Sequence, residues 1–508
     1  MIFLLFSLQY SNEWVLVKTP DTTNLGGLKI VKHLFGDWYR VALPAGADAL
    51  KFSESLKKSK GIEDASPDYI CHALMVPNDP YYEYQWNLRK FIKLEEAWDI
   101  AGGGSPDIII GILDTGCSFE EYPVPDKEKN NVIGSSYHIY DDYNKSSFVE
   151  GYDFVNEDEH PNDDNGHGTI VSGVIIEATN NETGVAGIAF NTRVMPVKVL
   201  DYNGNGYISD IQRGIVYAVK HGARILNMSL GNTQDVGILR DAVTYASNNN
   251  VIMVAASGND GIEVVYYPAA YPEVIAVGAY TYESVYDSSH DSFHDTLLLA
   301  SYSNYGVEIE FIGPGGDIID SDTMSVYQQG FSPYIDKYNL AILDEDGYYG
   351  LIGTSLACPH ITALCALMLS VAPELRPENV RHVLRNTAQD FGLPGWDMFS
   401  GYGIPDFKEA VRTAYFLSHF ESLNDILTIH GEFGGEETEG ASVLSTGNFW
   451  VTRDTSYILP VDLKLINSAG QVIKEFTLHE TYNLSIEKSG VYFLYGSGRA
   501  GIKLIVTR

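Results

Sequence analysis

Hydrophobic and polar positions change rhythm twice along this chain. Between about 85 and 415, short continuous apolar runs alternate with helix-periodic segments. Ile108–Leu113, Val194–Leu200, Ile225–Met228, Val251–Ala256 and Val274–Val277 read as strands buried on both faces. Positions 208–221, with Ser209 as N-cap, and 235–249 read as helices between them. This alternation predicts an α/β fold, a mostly parallel sheet flanked by helices. Ligands of such sheets gather at the carboxyl ends of the strands.

The two ends follow other patterns. Residues 12–76 read as a small α+β domain: Trp14–Lys18 and Trp38–Leu43 as strands, Asp48–Lys60 as a helix with Leu50 and Leu56 inward. Asn78-Asp-Pro-Tyr-Tyr breaks the pattern and opens a domain over 77–415. Residues 120–150 and 317–348, rich in Asp, Tyr, Ser and Asn, read as surface insertions. In 420–508 short strands recur without helices, at Phe449–Thr452, Val461–Ile466, Val472–Leu478, Val491–Leu494 and Ile502–Val506, which predicts a β-sandwich. The apolar start of the chain, within residues 1–11, lacks Lys and Arg; it is either the remnant of a signal peptide or a buried strand.

Size and charge narrow the choices. A chain of 508 residues with 48 glycines and 45% hydrophobic content is a multi-domain globular protein with many tight turns. A net charge of −34 would repel a polyanion, so nucleic acid is not an expected partner. The acidity serves solubility, or places carboxylates for Ca²⁺. No apolar run is long enough to span a bilayer. Of the cysteines at 71, 117, 358 and 365, the last two sit on one predicted helix about 10.5 Å apart at 1.5 Å per residue. A disulfide needs Cα atoms within roughly 7 Å, so that pair reads as free buried thiols.

Three segments carry candidate chemistry. Asp114 ends an apolar strand in Ile-Leu-Asp-Thr-Gly, His167 lies in Asn-Gly-His-Gly-Thr, and Ser355 opens a helix in Gly-Thr-Ser-Leu-Ala. A carboxylate, an imidazole and a hydroxyl are the parts that make a serine oxygen nucleophilic at neutral pH. Read separately, they are a strand-end turn, a surface histidine and a helix N-cap. The three in these contexts together argue for nucleophilic catalysis. The glycines beside His167 are expected to let backbone approach a substrate.

These segments, with Ala97-Trp-Asp, Asn180-Asn…Gly184-Val-Ala-Gly-Ile-Ala, Val197-Lys-Val-Leu-Asp, Asn227-Met-Ser-Leu-Gly and Ala255-Ala-Ser-Gly-Asn, occur in the order found in the subtilases. Residues 77–410 resemble the thermitase-like group of these subtilisin-type serine proteases. The resemblance implies a subtilisin-like fold and a secreted endopeptidase, with Ser355 as nucleophile, His167 as general base and Asp114 as its orienter. Asn259 would donate to the oxyanion. It further implies a substrate crevice walled by Ser229, Leu230 and Gly231 on one side and Ala256, Ser257 and Gly258 on the other. Gly204, Asn205 and Gly206 would form a flanking strand, with Ile208 further out. Small uncharged walls imply broad specificity with an apolar preference before the cleaved bond.

The same resemblance implies Ca²⁺ as cofactor. One site would use Asp79, Thr179, Asn181, Thr183 and Val185, completed by Asp126 or Glu120. A second would use Asp153, Asn156, Asp158, His160 and Asn162. Both also read as acidic, solvated loops. Residues 12–76 resemble the inhibitory propeptide, which makes the chain a zymogen inhibited by its own propeptide, with self-cleavage expected after Leu74. The expected active form is a monomer acting on proteins and peptides. The final strands resemble type IX secretion sorting domains, and read equally as an ordinary sandwich. Ile170 and Cys358 replace a usual histidine and a usual small residue, and Cys117 suggests thiol sensitivity. Other readings are a narrowly specific processing protease, for which the two insertions could frame the crevice, and an inactive binding protein on the same fold.

Overall fold

The computed structural model describes residues 10–44, 47, 49–69, 76–125, 136–287, 292–319, 322–330, 341–342 and 347–419, and strands between 427 and 507. Residues 1–9, Cys71, the Leu74–Met75 junction and Asp126 lie outside the described residues. The chain divides into two compact units, Met1–Met75 and Val76–Arg508.

In the first unit, four antiparallel strands pair in the order Ile30–His33, Trp38–Ala42, Tyr10–Lys18 and Asp64–Tyr69. A helix spans Ala49–Lys57, and Val15, Val17, Val41, Leu56 and Ala65 build the core. The helix buries Ala49, Ser53 and Leu56, spaced at three and four residues along one face. Leu50 falls off that face and stays exposed, against the sequence expectation.

The second unit is built on an eight-stranded sheet. Its strands run in the order Ser292–Leu299, Val274–Asp287, Ile252–Ala256, Ile225–Met228, Ile109–Asp114, Arg193–Lys198 and Tyr152–Asp153, with Ile309–Pro314 also pairing Val274–Asp287. Every pairing is parallel except that of the Ser292–Leu299 edge. The central strands are buried almost throughout, because helices cover both faces. The helix Ile208–Lys220 is preceded by Tyr207 in an extended conformation, so Ser209 lies inside it and is not the N-cap.

The helix Thr354–Val371 is apolar and long enough to cross a membrane, yet it is a buried core element here. Cys358 and Cys365 lie on it, buried and unbonded like Cys117. The insertions are less superficial than their composition suggests. Asp142, Tyr143 and Ser147 are buried in the first. In the second, an Asp317–Ile319/Asp322–Met324 hairpin precedes a small sheet of Val326–Gln329, Ala341–Ile342 and Tyr348–Leu351.

Beyond residue 419 the described residues form strands alone. Leu427–His430, Gly447–Arg453 and Thr481–Ile486 make one sheet. Ala441–Ser445, Val461–Asn467, Val472–Leu478, Gly490–Gly496 and Ile502–Thr507 make a five-stranded second.

Candidate active site

Asp114 is the last residue of its strand and fully buried. Its Oδ1 accepts from the Thr115 N–H at 2.7 Å and lies 2.7 Å from His167 Nδ1. That contact requires Nδ1 to carry the proton, which leaves Nε2 as a base. Burial works against a charged ring, but the Asp114 charge and hydrogen bond, with Asp163 adding, outweigh it and raise the His167 pKa above 6.5.

Gly168, beside His167, serves packing. A Cβ on Gly168 would collide with the Gly116 carbonyl and crowd Asp114 Cβ. The helix His167–Ile176 can therefore start against the Asp114 strand end only with glycine there. Gly168 thus admits the end of the Asp114 strand.

Asp163, which sequence reasoning missed, fixes the start of that helix. It accepts from Thr115 Oγ1 (2.9 Å), Asn165 N–H (3.0 Å), Gly166 N–H (2.8 Å), and the N–H and Oγ1 of Thr169 (2.9 and 2.7 Å). Lys198 was also missed. Its ammonium is fully buried, donating to Asp164 Oδ1 at 2.6 Å, Thr115 O at 2.5 Å and Leu200 O at 2.9 Å. Burial lowers its pKa, but Asp164, Asp153 and Asp163 raise it more, so Lys198 stays charged. The run of acidic residues before His167 was the available signal for both.

Ser355 is the second residue of its helix. Its Oγ lies 3.3 Å from the Ser229 carbonyl. Asn259 is turned by Thr354, whose N–H and Oγ1 both donate to Asn259 Oδ1, at 2.9 and 2.7 Å. The Asn259 amide nitrogen is thereby freed to face the other way. Gly353 shows where it points: a Cβ built there would lie 3.7 Å from Ser355 N and 3.8 Å from Asn259 Nδ2. Two donors thus converge on one small space, the arrangement that stabilises a developing oxyanion.

His167, Asn259 and Ser355 line one cavity of about 870 Å³. Gly204, Asn205, Gly206, Ile208, Ser229, Leu230 and Gly231 line it too, as the sequence predicted. Ala256, Ser257 and Gly258 are not among its lining residues: Ser257 is buried and hydrogen-bonds the Asn304 carbonyl at 3.2 Å. Sequence reasoning missed Ile318 and Ser325 of the second insertion, and Gly350–Ile352 just beyond it, which line the cavity. Cys117 is inaccessible, and burial pushes its thiol pKa far up, so it offers no reactive thiolate.

The two candidate calcium loops differ. In the first, Asp79 accepts from the N–H groups of Asn180 and Asn181. Asp142 accepts from Asn181 Nδ2 (2.9 Å) and Val185 N–H (3.0 Å). Asp142 is thus the carboxylate that meets this loop beside Asp79, while Glu120 contacts His160 and Asn162 and Asp126 lies outside the described residues. Burial foremost, with the Asp79 charge, pushes Asp142 up to about 7. Two buried carboxylates facing one loop fit a hard cation. Thr179 bonds within the loop to Glu177 O and Gly187, and Thr183 N–H donates to Asn181 Oδ1.

In the second loop the Asp153 and Asp158 carboxylates accept from their own loop, while Asn162 Oδ1 is buried without a hydrogen-bond partner. Asp153 caps Val155 and Asn156, and Asp158 caps His160. His160 and Asn162 both contact Glu120, and Tyr122 stacks on His160 at 3.7 Å. No cluster of three or more His, Cys, Asp or Glu suited to a metal occurs among the described residues of either loop.

Comparison with known proteins agrees with this geometry. The sequence model of the subtilase family matches residues 105–403, more than half of the chain. A thermophilic serine proteinase of Bacillus sp. (strain AK1) is 36% identical over 319 residues, covering 62% of this chain and 65% of that protein. Thermitase of Thermoactinomyces vulgaris is 32% identical, covering 63% of this chain and 94% of thermitase. A halolysin-like extracellular serine protease of Natrialba magadii is 33% identical, covering 71% and 58%. The chain thus spans less than two thirds of the first and third of these relatives. Among solved structures, one described as proteases from Pseudoalteromonas arctica PAMC 21717 superposes with a TM-score of 0.53 at 27% identity, covering 67% of this chain and 100% of that one. The α/β fold is subtilisin-like, and the chain belongs to the subtilase family.

Proposed function

We propose that this chain is a serine endopeptidase that hydrolyses peptide bonds through an acyl-enzyme. The observation that carries the reading is the 2.7 Å contact of Asp114 with His167, in a cavity that His167 shares with Ser355 and the Asn259 donor. The Ser355 hydroxyl turns from the Ser229 carbonyl toward His167 Nε2, which takes its proton as Oγ bonds the scissile carbonyl carbon. Asp114 holds the imidazolium that forms. The carbonyl oxygen, now an anion, receives the Asn259 amide and the Ser355 N–H. Collapse expels the amine, which takes the proton from His167. Water then repeats the sequence and frees Ser355.

Substrate lies extended between Gly204–Gly206 and Ser229–Gly231, pairing through backbone. The apolar side chain of Leu230 favours an apolar residue before the cleaved bond, and Ile208 meets a substrate residue further out. Asp79, Asp142 and Asn181 would hold Ca²⁺, which would supply positive charge where two buried carboxylates meet. The separately folded unit within residues 10–69 supports a zymogen whose propeptide inhibits it. The relative named as an extracellular protease supports secretion. The test is digestion of casein and of a peptide library by the processed chain: cleavage lost in Ser355→Ala supports the reading, and no cleavage of either substrate contradicts it.

A further inference from the structure

Ile318 is an aliphatic side chain 64% exposed, and it stands on the wall of the catalytic cavity. Its hairpin is anchored at every point near its base. Asp317, itself buried, accepts from the Ser301 N–H at 2.6 Å and the Ile318 N–H at 2.7 Å. Tyr302 Oη reaches the carbonyls of Gly315 (2.8 Å) and Gly316 (2.7 Å). Trp86 Nε1 donates to Ser325 O at 2.7 Å on the far side. Gly316 has φ +72°, and a Cβ there would lie 2.6 Å from the Met324 carbonyl, so the two arms of the hairpin close tightly at its base. Gly353, two residues before the nucleophile, donates its N–H to Gly315 O at 3.0 Å. The hairpin is therefore fixed to the same backbone that carries Ser355, and Ile318 is a built part of the cavity.

We propose that Ile318, with Leu351 and Ile352, forms the wall that receives the residue following the scissile bond, and that it selects an apolar side chain there. The proposal rests on the acyl-transfer reading. In that reading Gly204–Ile208 and Ser229–Gly231 bound the acyl half of the substrate, and Ile318, Leu351 and Ile352 belong to neither segment. The leaving half passes His167 and meets this third wall. An apolar side chain buried against Ile318 removes both surfaces from water, whereas a charged one loses solvation with no partner among these three residues.

The test uses internally quenched peptides that differ only in the residue after the cleaved bond. The unaltered enzyme is expected to prefer Leu over Ala there by roughly tenfold in kcat/KM, the scale of a few methylenes in an apolar pocket. In Ile318→Ala that ratio collapses toward unity, chiefly through KM, and in Ile318→Asp the preference moves to Lys. The Leu-to-Ala ratio at the residue before the bond does not move. An unaltered ratio after the bond in both variants, with peptides still cleaved, overturns the proposal, as does a change confined to the residue before the bond. If the unaltered chain cleaves no peptide, the acyl-transfer reading falls and the proposal with it.

Discussion

Ser229 Oγ donates a 2.8 Å hydrogen bond to the backbone carbonyl of Ser355. The helix itself explains why that carbonyl is available. Pro359 stands four residues on, inside the helix, and has no N–H to donate back to Ser355. A buried carbonyl without a partner is costly, so a side chain from the substrate wall supplies the bond. One hydroxyl thereby couples the crevice to the position of the nucleophile.

Ser229→Ala is expected to lower stability by about 1 kcal/mol, the usual net worth of such a bond, and to lower kcat several-fold as Ser355 loses its tether. Ser229→Thr keeps a hydroxyl and should recover much of both. Denaturant midpoints and kcat on one peptide substrate check this.

Thr354 orients Asn259 through two hydrogen bonds to Oδ1, so the oxyanion donor is set by a neighbour of the nucleophile. Asn259→Ala is expected to cut kcat by about 10²–10³, a magnitude known from subtilisin, with little change in KM. Thr354→Val removes one of the two bonds and should give a smaller loss of the same kind. Steady-state kinetics separate kcat from KM.

The raised pKa of His167 sets the acid limb of activity. Protonated His167 cannot accept the Ser355 proton, so activity is expected to fall as pH drops through a value above 6.5. Asp114→Asn removes the main raising cause. The limb should move to lower pH while kcat falls by about 10⁴, as in related triads. The pH profile of kcat/KM checks both.

His360 behaves oppositely. It is fully buried, its Nδ1 donates to Leu356 O at 2.7 Å, and Nε2 accepts from Asn87 Nδ2 at 2.9 Å. Burial lowers its pKa to about 4. Below 6.5 the unfolded chain gains a proton that the folded chain refuses, so the full stability holds above 6.5 and drains away between 6.5 and 4. The loss is about 3 kcal/mol by linkage. His360→Gln should flatten stability over that window, read from denaturant midpoints at stepped pH.

Asp79 and Asp142 face one loop, and a cation bound between them would stabilise the fold by mass action. Calcium at about 100 times its Kd should add about 2.7 kcal/mol. The melting temperature should rise with Ca²⁺ and fall with EDTA in the unaltered chain, and Asp142→Asn should abolish most of that response. Asp153→Asn should leave it intact, because the second loop closes on its own hydrogen bonds.

Much of this was legible in the sequence because the signals were local. Continuous apolar runs named the central strands, and Asp114, His167 and Ser355 each sat in a short glycine-bearing context. What escaped depended on contacts distant in sequence. Asp142 lies far from Asp79 and Asn181 along the chain, so its place beside them could not be read from spacing. Lys198 lies in an apolar run read as a buried strand, but nothing in that run names Asp164 and the two carbonyls that hold its charge. Ile318 belonged to a segment whose polar composition resembled a surface loop, while its anchors at Trp86, Ser301 and Tyr302 are distant or unrelated by pattern. Leu50 failed for a simpler reason: in a short helix, one residue of phase separates a core position from an exposed one.

The central claim is that Asp114 and His167 make the Ser355 oxygen nucleophilic. The most direct measurement is intact-mass analysis of the processed chain after exposure to a fluorophosphonate, with the adduct mapped by peptide sequencing. The account predicts one adduct per chain, on Ser355, absent in Ser355→Ala and formed far more slowly in His167→Ala. An unlabelled chain, or an adduct that persists in Ser355→Ala, would contradict it.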